Sequence, residues 1–200
     1  MESSSFISLP DCLLTTSAKT VRETSAGGIV IRMLRGKWHV AVIEPNTINA
    51  DSVTRRARAR PDGTVFALPK GGVDDGETPQ QSAEREVWEE TGLRGERITR
   101  LTSIRYFYVR SWGGRERVSK VVTFYLFRYL SGRLGQISPE MRIEVRRAQW
   151  VPLDAAHKKL TYKGERDALR LAQQYVRTHP GLGNTPPQRM KDSHASHPAH

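Results

Sequence analysis

The chain has one cysteine, Cys12, among its 200 residues, so it can form no internal disulfide, which suits a reducing compartment. No stretch approaches the ~18 consecutive apolar residues of a membrane span. Near the N-terminus Glu2 follows Met1 and there is no basic n-region, so a secretory signal is not expected. These absences lead to the expectation of a cytoplasmic protein without membrane contact. Negative charge is also scarce: 21 Asp+Glu stand against 32 Lys+Arg, for a net charge of +11. Such a balance favours a polyanionic partner, either nucleic acid or a phosphorylated small molecule. Composition does not separate the two.

What is present suffices for about one domain with a real core. Residues 24–33 (TSAGGIVIRM) and 38–45 (WHVAVIEP) are rich in β-branched residues and predict two strands joined by a short basic turn. Residues 46–63 are polar, Arg-dense and aperiodic, and predict a long loop; residues 64–69 (TVFALP) predict a third strand, ended by Pro69. Thr78, Pro79 and Gln81 fit a helix-capping box. Gly92 suits the left-handed position past a helix end, so a helix is predicted over 79–91. Strands follow at 98–109 and 118–130, with a Gly113-Gly114 turn signal between them, and at 148–153. Ala168, Leu169, Ala172 and Val176 recur at helical spacing and predict an amphipathic helix over 163–176. The order β-β-β-α-β-β-β-α predicts an α/β domain, a mixed sheet between helices, over 21–180. A flexible arm (1–20) is expected before it and a disordered tail (181–200) after it, the tail holding His194, His197 and His200.

One segment, REVWEE, puts Glu86, Glu89 and Glu90 at helical spacing in an otherwise basic chain. Like charges three and four residues apart destabilise an isolated helix by roughly 0.2–0.5 kcal/mol per pair. At about 100° per residue, the three carboxylates fall within one arc of roughly 100°, and Trp88 points to the far side, where it is expected to pack. A solvated acidic face would explain the pattern. So would a hard divalent cation, which needs converging oxygen ligands and removes the repulsion.

The residues around the triplet bear on that choice. Gly71 is followed after five residues by Glu77, then after seven by Arg85-Glu86, Val87, Trp88, Glu89-Glu90, Thr91, Gly92 and Leu93. This resembles the Nudix box, the metal and pyrophosphate motif of the Nudix hydrolases, at every defined position. SAGGIVI (25–31), ALPKGG (67–72) and EVRRAQW (144–150) resemble family segments before and after the box, so the likeness covers about residues 21–178. It implies a Nudix α/β/α sandwich on a mixed β-sheet. It implies Mg²⁺ or Mn²⁺ bound by Glu86, Glu89 and Glu90 with the backbone carbonyl of Lys70. Glu77 and Arg85 are implied to support that loop, with Gly71 and Gly92 shaping it. The implied reaction is attack of water on phosphorus in a nucleoside diphosphate-linked compound, a carboxylate taking the proton. Glu90 and Glu144 are the candidates for that base, although Glu144 also reads as an ordinary loop residue.

The substrate is less sharply marked. Tyr106 and Tyr108 lie where dinucleoside polyphosphate hydrolases of the family tend to carry a tyrosine. LPKGG and LTYKGER (160–166) resemble that branch and the related diphosphoinositol polyphosphate hydrolases. The preferred substrate is therefore a dinucleoside polyphosphate such as diadenosine tetraphosphate, though aromatic residues fill strands without any ligand. Arg55, Arg56, Arg58 and Arg60, with Lys70 and Lys163, could grip the phosphates or be merely solvated. The alternatives are hydrolysis of (oxidised) nucleoside triphosphates, removal of pyrophosphate from RNA 5′ ends, and a non-catalytic nucleotide sensor, against which the intact box argues.

Overall fold

The computed structural model describes residues 20–46, 64–110, 116–137 and 141–183. Cys12, the arginines at 55, 56, 58 and 60, the Gly113-Gly114 turn and the terminal histidines lie outside these residues.

The backbone of the domain is a long strand, β1 (Thr20–Leu34), which has partners on both sides. Its C-terminal end forms a hairpin with β2 (Lys37–Pro45) through Arg35 and Gly36, at φ 50° and 74°. Two left-handed residues match the twist of the flanking strands. On the same edge, nearer its start, β1 pairs antiparallel with the short β3 (Lys70–Gly72), setting Ala26 opposite Gly71 and Gly27 opposite Lys70. On its other edge β1 runs parallel to β5 (Arg117–Gly132), which pairs antiparallel with β4 (Leu93–Val109). β6 (Val145–Pro152) closes the far side against β2, so the order is β4-β5-β1-β2-β6 and the sheet is mixed.

Successive strand residues point to opposite faces, and β1 is apolar on both. Ala26 and Val30 join Ala83 and Val87 of helix α1 (Pro79–Thr91) in one core. Ile29 and Ile31 join Ala168, Leu169 and Ala172 of helix α3 (Lys163–Thr178) in the other. Each fully buried Ile, Leu or Phe contributes roughly 1.5–3 kcal/mol before entropy is counted, so helices on both faces clamp the sheet. Gly28 permits a close approach of α1 to β1: a Cβ there would lie 2.3 Å from Val87 Cγ2. The α/β/α sandwich expected from the sequence is the fold observed.

Besides strands that start earlier than expected, β4 at Leu93 instead of 98 and β6 at Val145 instead of 148, three details differ from expectation. Residues 64–69 form no strand; they meet β2 only through an isolated Ile43–Ala67 bridge, and the strand proper begins after Pro69. Val65, Phe66, Ala67 and Leu68 are all buried, so the run fills core on every side instead of alternating. A short helix, α2 (Ala156–Lys159), precedes α3 and had no periodic signal. Trp88 does not pack in the core: it is 44% exposed, with the Arg94 guanidinium 5.5 Å from its ring centroid. The buried side of α1 instead carries Ala83, Glu86, Val87, Glu90 and Thr91.

Candidate active site

The box helix is fixed at both ends by local chemistry. Thr78 Oγ1 accepts from the Gln81 amide at 3.3 Å, Gln81 Oε1 accepts from the Thr78 amide at 2.9 Å, and Pro79 opens the first turn. At the other end Gly92, at φ 74°, donates its N–H to the Trp88 carbonyl at 2.8 Å. Ser82 Oγ donates to the Gly72 carbonyl at 2.8 Å, tying α1 to β3. The acidic arc therefore has a defined position against the strand that precedes it.

Arg85 gathers the arc. Its guanidinium clasps Glu77 through Nε to Oε1 (3.0 Å) and Nη2 to Oε2 (2.9 Å). The same group donates Nη1 to Glu86 Oε1 (2.8 Å) and Glu89 Oε2 (3.0 Å), and Nη2 to the Gly72 carbonyl (2.9 Å). The Arg85 bonds hold the Glu77 carboxyl below its usual range, helped by the Asp74 amide. A planar fork suits this task as a lysine would not.

Glu86 and Glu90 are each only 6% exposed. Burial raises Glu86 to about 7; Arg85 opposes the shift, while the charges of Glu89 and Glu144 add to it. Burial likewise raises Glu90 to about 8, opposed by Lys70 and reinforced by Glu86 and Glu144. Glu90 Oε2 accepts the Lys70 amide at 2.7 Å. Gly71 cradles Glu86: a Cβ on it would sit 2.0 Å from Glu86 Oε1. Glu144, exposed beside β6, is close enough for its charge to bear on both buried carboxyls.

A set of carboxylate oxygens, two of them buried at a glycine cradle, is of the donor type that suits a hard divalent cation. Among the described residues, no three acidic, His or Cys side chains already stand in a metal-holding arrangement. Arg85 and the Lys70 amide occupy oxygens of the set instead.

On the α3 side of Gly71 lies a cavity of about 350 Å³. Lys70, Tyr106 and Lys163, candidates from the sequence, line it together with Tyr162, Lys120 and Glu165. Tyr108 is not among the lining residues; its hydroxyl donates to Glu23 Oε2 at 2.8 Å. Burial pulls the Lys70 ammonium down, but the charges of Glu165 and Glu90 outweigh it and hold it above its ordinary range. Glu165 drew no attention in the sequence. Its signal was its spacing: it precedes Ala168, Leu169 and Ala172 on the apolar stripe of α3 and is 1% exposed.

The sequence matches the NUDIX domain over residues 37–172. A Mycobacterium tuberculosis protein named MutT4 is 38% identical over 162 residues, covering 81% of this chain and 59% of that one. An RNA pyrophosphohydrolase of Cereibacter sphaeroides is 36% identical over 75 residues, 33% of this chain and 46% of the relative. The chain thus spans under two thirds of the length of either relative. Among solved structures, a C. elegans Ap4A hydrolase binary complex shares the fold with a TM-score of 0.52 at 23% identity, over 78% of this chain and 98% of that one.

Proposed function

The chain belongs to the NUDIX family, and from that premise we propose that it is a metal-dependent hydrolase of phosphoanhydrides in nucleoside diphosphate-linked or polyphosphate substrates. The observation that carries this reading is the buried Glu86–Glu90 pair, set against Gly71 beside a cavity with lysines on its wall. Glu86, Glu89 and Glu90, with the Lys70 carbonyl, would hold Mg²⁺ or Mn²⁺. Such an ion, when bound, supplies charge neutralisation on the polyphosphate and makes water a better nucleophile near neutral pH.

The chain's own residues do the rest. Arg85 keeps Glu77, Glu86 and Glu89 in place. Glu90 or Glu144 takes the proton as the water oxygen bonds to phosphorus, and the bridging P–O bond breaks with its oxygen leaving on the second phosphorylated fragment. Either carboxyl must be ionised to accept that proton, and a cation held beside Glu90 would favour its ionised form against the burial that raises it.

The preferred substrate is a dinucleoside polyphosphate such as diadenosine tetraphosphate, with Tyr106, Lys70 and Lys163 receiving the part of the molecule inside the cavity. Tyr108 would act from outside it, while Arg55 and Arg56 lie outside the described residues. A second reading is removal of pyrophosphate from RNA 5′ ends. It is favoured by the RNA pyrophosphohydrolase relative and by Arg146 and Arg147 at the start of β6, whose side chains are 71% and 60% exposed although each also pairs with Glu44.

A panel with Mg²⁺ and with Mn²⁺ tests the reading: diadenosine tetraphosphate, 8-oxo-dGTP, ADP-ribose, diphosphoinositol phosphate and triphosphorylated RNA. Fastest turnover of the tetraphosphate is expected. Turnover of RNA alone moves the assignment to the second reading, and no turnover of any member overturns the reaction.

A further inference from the structure

Glu165 is a fully buried carboxylate with no part in the reaction above. It reaches from the first turn of α3 across the cavity wall to the segment that leads into the box. Oε2 accepts the Leu68 amide at 2.9 Å, and Oε1 lies 3.1 Å from Lys70 Nζ. The second contact is an ion pair without hydrogen-bond alignment, and no hydrogen bond reaches Oε1 from any described residue. Two residues of one short segment are thus held by one side chain from the opposite layer. The same segment meets the acidic arc on its other side, where the Lys70 amide donates to Glu90 Oε2 at 2.7 Å.

A buried charge is costly unless paired, so Glu165 is an expensive way to fill space at a position flanked by Ala168, Leu169 and Ala172. An apolar residue would pack there at lower cost but could hold neither the Leu68 amide nor the Lys70 ammonium. Gly164, beside it, has no room for a side chain: a Cβ would lie 2.8 Å from Ile104 Cδ1. The start of α3 is therefore seated closely on β4.

We propose that Glu165 is a positioning residue for hydrolysis, acting through Lys70 to aim the Lys70 amide at Glu90. It links the cavity wall to the acidic arc through one residue whose side chain faces the first and whose backbone faces the second. This inference rests on the proposed reaction only for its kinetic part.

The test uses the full chain with Glu165→Gln, which is isosteric and keeps an oxygen for the Leu68 amide but removes the ion pair. Amide exchange of the metal-free protein should show Lys70 N–H exchanging several-fold faster, with core amides such as Leu126 unchanged. On the best substrate of the panel kcat should fall about ten- to hundredfold, with KM moving much less. In a Lys70→Met background the same change should cost nothing further, because coupled residues are not additive. Unchanged Lys70 exchange, unchanged kcat, or additive effects in the double variant would each overturn the proposal. If Glu165→Gln does not fold, Lys70→Gln removes the ion pair from its more accessible end and must give the same exchange result. A chain that hydrolyses nothing would defeat the proposed reaction while the amide measurement still decides the role of Glu165.

Discussion

The carboxylate of Glu86 lies directly on the backbone of Gly71, with no space between them for a methyl group. The atoms an added Cβ would meet are all at the far end of the flexible Glu86 side chain, at 2.0–2.3 Å. That end can swing away at little energetic cost, whereas backbone could not. Gly71→Ala should therefore leave the melting temperature nearly unaltered and lower kcat about ten- to hundredfold by misplacing one carboxylate. Thermal denaturation and steady-state kinetics on the same preparation check both halves. Full activity would mean that the position of Glu86 is not used.

Gly92 presents the opposite case. Its φ of 74° is left-handed, and a Cβ would stand 2.6 Å from the Gln136 carbonyl oxygen and 2.7 Å from that of Arg133. Both obstacles are backbone. Gly92→Ala is expected to cost about 1–3 kcal/mol, a fall in melting temperature of roughly 2–4 °C per kcal/mol. A calorimetric scan decides it, and an unaltered midpoint would show that the loop around Arg133 yields.

These two glycines also mark how far the sequence could be read. Everything encoded locally was legible: the Thr78–Gln81 box, Pro79, the Gly92 cap and the spacing of the glutamates all depend on neighbours within one turn. Contacts made over long sequence separations were not. The pairing of Gly71 with Ala26 makes residues 70–72 the strand, and no pattern in residues 64–69 announces that their apolar run fills core instead. Trp88 was misplaced for a related reason: its direction on the helix was legible, but not that this direction leads to the surface beside Arg94. Glu165 sat visibly on an apolar stripe, yet its partners, Leu68 and Lys70, are far away in the chain.

Burial of the acidic pair should make the metal-free protein less stable as pH rises. Glu86 and Glu90 have folded-state values of about 7 and about 8, above the roughly 4.3 of an unfolded glutamate. Between those limits the folded state binds more protons than the unfolded one, so the slope of stability with pH is negative. Their contribution is fully present below about pH 4 and is lost as pH passes through 7 and 8. Melting temperatures in chelator should fall across this window, and added Mg²⁺ should restore more at pH 8 than at pH 6. A Mg²⁺ effect equal at both values would separate cation binding from these carboxylates.

Arg85 holds its partners with a planar fork, and charge alone should not replace it. Arg85→Lys keeps the cation but cannot reach Glu77 through two parallel bonds while also serving Glu86 and Glu89. The expected result is a loss in kcat of about ten- to hundredfold, with a rise in the Mg²⁺ concentration needed for half-maximal rate. Titrating Mg²⁺ at saturating substrate reads this directly. A variant with the wild-type Mg²⁺ curve would assign Arg85 to stability only.

Glu90→Gln is expected to move activity and stability in opposite directions. The amide oxygen can still accept the Lys70 N–H, so the backbone contact survives. The buried negative charge does not, and removing it lifts the cost that raises Glu90 to about 8. In chelator at pH 8 the variant should therefore melt higher than the parent chain. With Mg²⁺ present it should lose several orders of magnitude in kcat, since a neutral amide neither holds the cation well nor accepts the proton. Glu89, with a side chain 26% exposed and paired to Arg85, should lose activity on Glu89→Gln without the gain in stability. The two variants, melted with and without Mg²⁺ and assayed on one substrate, separate a buried ligand from a merely acidic surface. An unaltered kcat in Glu90→Gln would remove that residue from the site.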